Sequence, residues 1–364
     1  MHLKEIEILN LWDEDPVKIK FDNNITFLTG VNGSGKSTIL NIIFDSLSIN
    51  KNMPATSKNR FWSSKAVFDS GLLSYACIFP LPDQEESITE IFDNEAHFHN
   101  QNTLHRLEKQ FQSEKERLVI KSVRYNEELK GHSAKLCLMH EGIRVSISKF
   151  NNYIPNTFLF QEDRECLHNP DKIESILNFS SFRFYKNSID ERFAYVREAF
   201  AIHESRASKV LEDVLLNKNV LSMPRDEMNN FLEEEQLLTA LKETKKKNAV
   251  LNKLDQYLSL SGKQICRDNE NKITLCRLND EKPISWSLLS RGEKTLIYLF
   301  LVCFIYKGSL FLFDEPEISL HVEWQKNLIT DLSEISEKSQ FIIATHSPTM
   351  VREGWLENCL KLTL

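Results

Sequence analysis

Glycine is scarce in this chain, ten among 364 residues. So few leave little room for the turns and close backbone approaches that glycine alone makes at low steric cost. Four of them, Gly30, Gly33, Gly35 and Gly292, fall in two short motifs, so the backbone there has something to approach closely. The seven cysteines are scattered and odd in number, with no C-x-x-C pair. That speaks against a zinc hook or a disulfide framework and for a reducing, cytoplasmic setting. Long hydrophobic runs are missing too. The longest, Leu296–Tyr306, is shorter than the ~18–20 residues of a membrane span and reads as a buried helix. Met1–Ile8 alternates charged and apolar residues like a strand, not like a secretory signal. Positive charge is not in excess: the formal net charge of −7 argues against a phosphate-coating surface, with a local basic patch left open. What is present, 41% hydrophobic and 27% charged residues, is ordinary globular composition. The length corresponds to about two units of ~150 residues.

Against that scarcity, Gly30-Val31-Asn32-Gly33-Ser34-Gly35-Lys36-Ser37 is a full G-x-x-x-x-G-K-[ST] phosphate-binding loop. It follows apolar Ile25–Leu28 and precedes amphipathic Ile39–Ile43, so a buried strand feeds a turn that opens a helix. Backbone amides and the positive end of the helix dipole then converge on one anion. Asn32, Gly33, Gly35, Lys36, Ser37 and Thr38 are the candidate nucleotide contacts. Lys36 would reach the β- and γ-phosphates, and the Ser37 hydroxyl would hold Mg²⁺. A plain Gly/Ser turn with a surface lysine is the bland alternative; the strand–loop–helix context speaks against it.

Three later motifs extend the site. Leu310–Phe313 is an apolar strand ending in Asp314 and Glu315. A strand buried on both faces delivers its last residues to the ligand-binding edge of an open α/β sheet. Asp314 is a candidate Mg²⁺ partner and Glu315 the candidate base for an attacking water, against the alternative of an acidic Asp-Glu-Pro turn. Ser290-Arg291-Gly292-Glu293 precedes a buried helix starting near Lys294 and makes a second anion-binding turn of Ser290 and Gly292, although a plain helix cap accounts for Ser290 equally well. Phe341–Thr345 is another buried strand, followed by His346, placed to hydrogen-bond the γ-phosphate.

The organisation that follows is an N-terminal lobe over 1–160 with a small helical insertion about 95–125, a helical insertion or arm over 161–263, and a C-terminal lobe over 264–364. In the middle part Phe193, Val196 and Phe200, then Val250, Leu254 and Leu258, keep helical spacing on either side of a break at Met223-Pro224. An arm and ordinary packing against the core both fit this pattern. His97, His99 and His105 stand near one another in a polar segment and read as a solvated loop rather than a metal site.

In order, these motifs resemble the Walker A, signature, Walker B, D-loop and switch-histidine motifs of ABC-type ATPases. More narrowly, Glu315-Pro316-Glu317-Ile318-Ser319-Leu320-His321-Val322-Glu323-Trp324-Gln325 and Ala344-Thr345-His346-Ser347-Pro348 are similar to the E-P-E-x-x-L-H-x-x-x-Q and A-T-H-S-P stretches of the RecF/SMC-like, OLD-type group. The match covers about residues 1–45 and 264–364; Arg291 departs from the usual L-S-G-G signature. The resemblance implies an α/β fold: an ABC-type P-loop core, with a mixed sheet flanked by helices, an antiparallel β subdomain and a helical insertion. It implies ATP with Mg²⁺, Gln161, after the apolar Thr157–Phe160, as the Q-loop glutamine and a further metal partner, and a head-to-tail homodimer or higher homo-oligomer. Lys36, Ser37, Asp314 and Glu315 of one copy and Ser290 and Gly292 of the other would then enclose each ATP. The stretch after His346 leaves room for a closing strand but no Toprim nuclease domain. The expected output is therefore control of a separate effector, a nuclease, as in the stand-alone ATPases of anti-phage systems. A RecF-like DNA-repair clamp, with Lys245-Lys246-Lys247 touching DNA, is the alternative, so nucleic acid stays open as a partner; a transporter subunit fits least, and no membrane partner is expected.

Overall fold

A computed structural model describes residues 1–9, 11, 17–47, 62–79, 123–126, 131–140, 143–145, 155–161, 189–217, 235–351 and 354–362. The first half contributes β1 (Leu3–Leu9), β2 (Val17–Lys20), β3 (Ile25–Thr29), α1 (Lys36–Leu47), β4 (Trp62–Phe68), β5 (Leu72–Phe79), β6 (Val123–Asn126), β7 (Gly131–His140), β8 (Ile143–Val145) and β9 (Thr157–Gln161). Two long helices follow, α2 (Ile189–Asn217) and α3 (Glu235–Ser259), then β10 (Lys263–Arg267), β11 (Ile273–Arg277) and β12 (Asp280–Ile284). The remainder is α4 (Arg291–Ile305), β13 (Leu310–Asp314), α5 (Val322–Gln325), α6 (Leu328–Ile335), β14 (Gln340–Ala344) and β15 (Cys359–Lys361).

The motifs sit on a five-stranded sheet, order β15-β3-β14-β13-β9, in which every pairing is parallel. Its residues alternate between two apolar layers because successive strand side chains point to opposite faces. Phe158, Phe160, Phe311, Phe313, Phe341 and Ile343 face the helices, whereas Leu28, Leu159, Leu310, Leu312 and Ile342 face α1 and the antiparallel strands. The Phe311 ring stacks at 5.4 Å on Phe158 and 5.1 Å on Phe341, so one aromatic layer runs across three strands.

The antiparallel strands gather in two separate sheets, a seven-stranded one ordered β2-β1-β4-β5-β7-β6 with β8 on β7, and the three-stranded β10-β11-β12. The side chain of Gln340 fastens the larger sheet to β14: it accepts from the Leu3 amide at 2.7 Å and donates to the Leu3 carbonyl at 2.8 Å.

Helix α4 is buried on all sides from Gly292 to Phe304, as an all-round apolar helix must be. Its cover comes from α2, through Phe193, Val196 and Phe200, and from α3, through Val250, Leu254 and Leu258. The stretches of the two helices that carry these residues lie on the core, while much of 241–249 is exposed. The break at Pro224, the 95–125 insertion and His97, His99 and His105 fall outside the described residues. Among the described residues no helix is long and apolar enough to cross a membrane.

Candidate functional site

Register assembles the site. Asp314 pairs with Ala344 on one side and Gln161 on the other, and Ala344 pairs with Leu28. The carboxyl ends of four parallel strands therefore finish level, and the residues beyond them meet at one edge, where open α/β sheets bind ligands.

The loop after β3 wraps the start of α1. Gly35 sits at φ 77°, a left-handed conformation that favours glycine, and lets the chain turn into the helix. The buried Lys36 ammonium donates to the carbonyls of Gly30 and Val31, each at 3.1 Å, and to Ser34 Oγ at 3.5 Å. Burial lowers its pKa, while Glu315 and Asp314 pull the other way. Asn32, Gly33, Gly35, Lys36, Ser37 and Thr38 line a cavity of about 990 Å³ together with Glu315 and His346.

Behind this cavity the Asp314 carboxylate is shared. Ser37 Oγ donates to its Oδ1 at 2.9 Å, and Gln161 Nε2 to its Oδ2 at 3.1 Å. The structure thus brings Ser37, Asp314 and Gln161 within one hydrogen-bonded group, with Gln161 as the direct strand neighbour of Asp314. A hydroxyl, a carboxylate and an amide oxygen are hard donors suited to Mg²⁺, which keeps several waters and takes substrate phosphate as well. The residues fit that ion. No cluster of three or more His, Cys, Asp or Glu that could hold a metal occurs among the described residues.

Glu315 stands at φ 50°, an uncommon conformation for a side-chain-bearing residue, and one that costs about 1–3 kcal/mol unless its surroundings fix it. Its amide donates to the Ala344 carbonyl at 2.8 Å, which holds the turn against β14. The Glu315 carboxylate reaches 3.6 Å from Nε2 of His346, on the neighbouring loop. Both side chains face the cavity.

Ser290 and Gly292 do not line this cavity. Helix α4 starts at Arg291, about one turn earlier than the apolar run suggests, because Ser290 and Glu293 form a capping box: Ser290 Oγ accepts from the Glu293 amide at 3.3 Å, and Glu293 Oε2 from the Ser290 amide at 2.9 Å. The cap reading of Ser290 therefore holds within one chain, while the residue remains exposed to a second. Gly292 has a packing reason of its own. A Cβ there would lie 2.4 Å from the Ser319 carbonyl oxygen, so only glycine lets α4 dock on the turn after β13.

Sequence reasoning gave no role to Glu317 and Gln325, although both stand in the quoted E-P-E-x-x-L-H-x-x-x-Q stretch. Both line the cavity with Ser347. Gln325 donates to the Leu320 carbonyl at 3.0 Å and accepts from the Ser347 hydroxyl at 2.8 Å. Within the lysine triplet, Lys246 pairs with Glu337 and Lys247 with Glu204, each at 3.2 Å.

Over 81 residues the chain is 37% identical to the chromosome partition protein Smc of Fusobacterium nucleatum subsp. nucleatum, a stretch that is 21% of this chain and 7% of that protein. The chain thus spans a small part of the length of the curated relative that it matches. Among solved structures it is similar to an Smc head bound to the C-winged helix domain of ScpA, with 16% identity, 99% of this chain and 94% of the other covered, and a TM-score of 0.47. It is also similar to the recombination mediator protein RecF of the RecFOR pathway, with 14% identity, 99% and 95% covered, and a TM-score of 0.40. From residue 25 to residue 352, a span that carries the phosphate loop, both carboxylates and His346, the chain belongs to the family described as "AAA domain, putative AbiEii toxin, Type IV TA system".

Proposed function

We propose that the chain is an ATP-binding and ATP-hydrolysing switch that closes head to tail on a second copy and controls a separate effector, a nuclease, in anti-phage defence. The observation that carries the nucleotide part is the convergence of Lys36, Ser37, Asp314, Gln161, Glu315 and His346 at one sheet edge. Ser37, Asp314 and Gln161 would hold Mg²⁺, which neutralises phosphate charge when bound. Lys36 exchanges its loop carbonyls for phosphate oxygens. Glu315 takes a proton from the attacking water, and His346 donates to the transferred phosphoryl group.

Two features support the dimer. Ser290 is exposed and does not line its own chain's cavity, which leaves it open to a nucleotide held by a second copy. Large apolar side chains also stand in water around the motifs: Val31 in the loop, Ile318 and Val322 after β13, and Leu288 ahead of the signature. A head-to-tail partner would cover such groups. The effector and the OLD-type grouping rest on the motif resemblance, and the family description, which names a toxin of a TA system, fits a chain that works with a partner protein. The net charge of −7 weighs against a DNA clamp.

The decisive variant is Glu315→Gln, with ATP and Mg²⁺, followed by light scattering. It should bind ATP, lose at least ~100-fold in turnover and accumulate as a dimer. Turnover at the wild-type rate would remove Glu315 as the base. A monomer with ATP bound would overturn the head-to-tail arrangement, and DNA affinity falling steeply with salt would favour the clamp instead.

A further inference from the structure

Glu317 is 7% exposed, in the turn that carries Glu315. One oxygen, Oε1, collects three donors from the loop after β14: the Thr345 hydroxyl, the His346 amide at 3.2 Å and the Ser347 amide at 3.3 Å. The other, Oε2, is buried without a hydrogen-bond partner. Leaving a buried carboxylate oxygen unpaired is expensive. A tie between the two loops needs only an acceptor at Oε1, and that one atom meets all three donors. Burial raises the pKa of this carboxyl, and the Thr345 hydroxyl, its own backbone amide and the His346 and Ser347 amides oppose the rise.

We propose that Glu317 is a positioning residue of the nucleotide site: its carboxylate fixes the main chain of Thr345–Ser347 and so holds the His346 imidazole opposite Glu315. The two segments that must act together on one phosphate also meet at the Glu315 amide on the Ala344 carbonyl, ahead of the histidine, at Gln325 on the Ser347 hydroxyl, behind it, and where the Glu315 carboxylate faces His346. Glu317 grips the histidine's own amide between them. The inference deepens the reading of the site as an ATPase and rests on it for its kinetic consequence.

The test compares Glu317→Ala with Glu317→Gln, which keeps an acceptor at Oε1. In the protein without nucleotide, hydrogen exchange across residues 341–351 should accelerate at least ~10-fold at the His346 and Ser347 amides in the alanine variant and stay near wild type in the glutamine variant. With ATP, alanine should lower kcat ~30-fold or more and glutamine no more than ~5-fold, while a fluorescent ATP analogue binds both within ~3-fold of wild type. Unchanged exchange in the alanine variant overturns the proposal. So does an equal kcat loss in both variants with protection intact in glutamine, since the charge itself would then be acting. A wild-type chain that neither binds nor hydrolyses ATP refutes the ATPase reading, and the exchange measurement still decides whether Glu317 holds the loop.

Discussion

Lys36 shows how a binding residue waits for its ligand. Its ammonium is out of water and held by carbonyls of the loop it belongs to, so the charge is satisfied but weakly compensated. Burial lowers its pKa, and an arriving anion restores the preference for the charged form. Lys36→Ala should therefore lose at least ~100-fold in ATP affinity, about 2.7 kcal/mol, by titration calorimetry. Undiminished affinity would take the loop out of the site. The left-handed Glu315, held before Pro316 by the Ala344 carbonyl, belongs to the same scale: a residue kept in a costly conformation by its neighbours is pre-set for one geometry.

Between elements, the contact to watch is α4 on the turn after β13. Gly292 lies against the Ser319 carbonyl, and Ser319 Oγ donates to Thr295 Oγ1 at 3.3 Å. The helix start that carries Ser290 thus rides on the segment that carries Glu315 and Glu317. Gly292→Ala drives a methyl group into backbone, which cannot yield as a side-chain tip can. It should cost about 1–3 kcal/mol and lower the melting temperature by a few degrees in scanning calorimetry. An unchanged melting temperature would show that the dock is loose. The cap on the same helix tells why Ser290 was ambiguous in the sequence: serine is a preferred N-cap in any protein, and here it does cap α4.

For the assembled protein, the question is whether a second copy completes the site. The cap constrains the choice of variant. Ser290→Arg would break the capping box as well as block an interface, so Ser290→Asp is preferable: aspartate caps a helix as well as serine does and sets a negative charge toward an incoming phosphate. Within a Glu315→Gln background, Ser290→Asp should bind ATP within ~3-fold of its parent yet remain monomeric in sedimentation velocity. Association at the parent's level would argue that the α4 start faces no phosphate.

The phosphate loop, the carboxylate-ended strand and the histidine after β14 were legible in the sequence because each is a local pattern, a buried strand followed by residues of fixed type. So was the α/β class, since Leu310–Phe313 and Phe341–Thr345 read as strands buried on both faces. The pairing of Gln161 with Asp314 depends on which strands lie side by side and in what register, and residues 153 positions apart carry no local mark of it. The same holds for Glu317 on the His346 amide and for Gly292 under Ser319. The spacing of the long helices fits an arm and a cover alike; what the fold adds is that Phe193, Val196 and Phe200 and then Val250, Leu254 and Leu258 pack with the buried α4. Local chemistry is written along the chain, whereas the contacts that aim it arise only when distant segments close over a shared core.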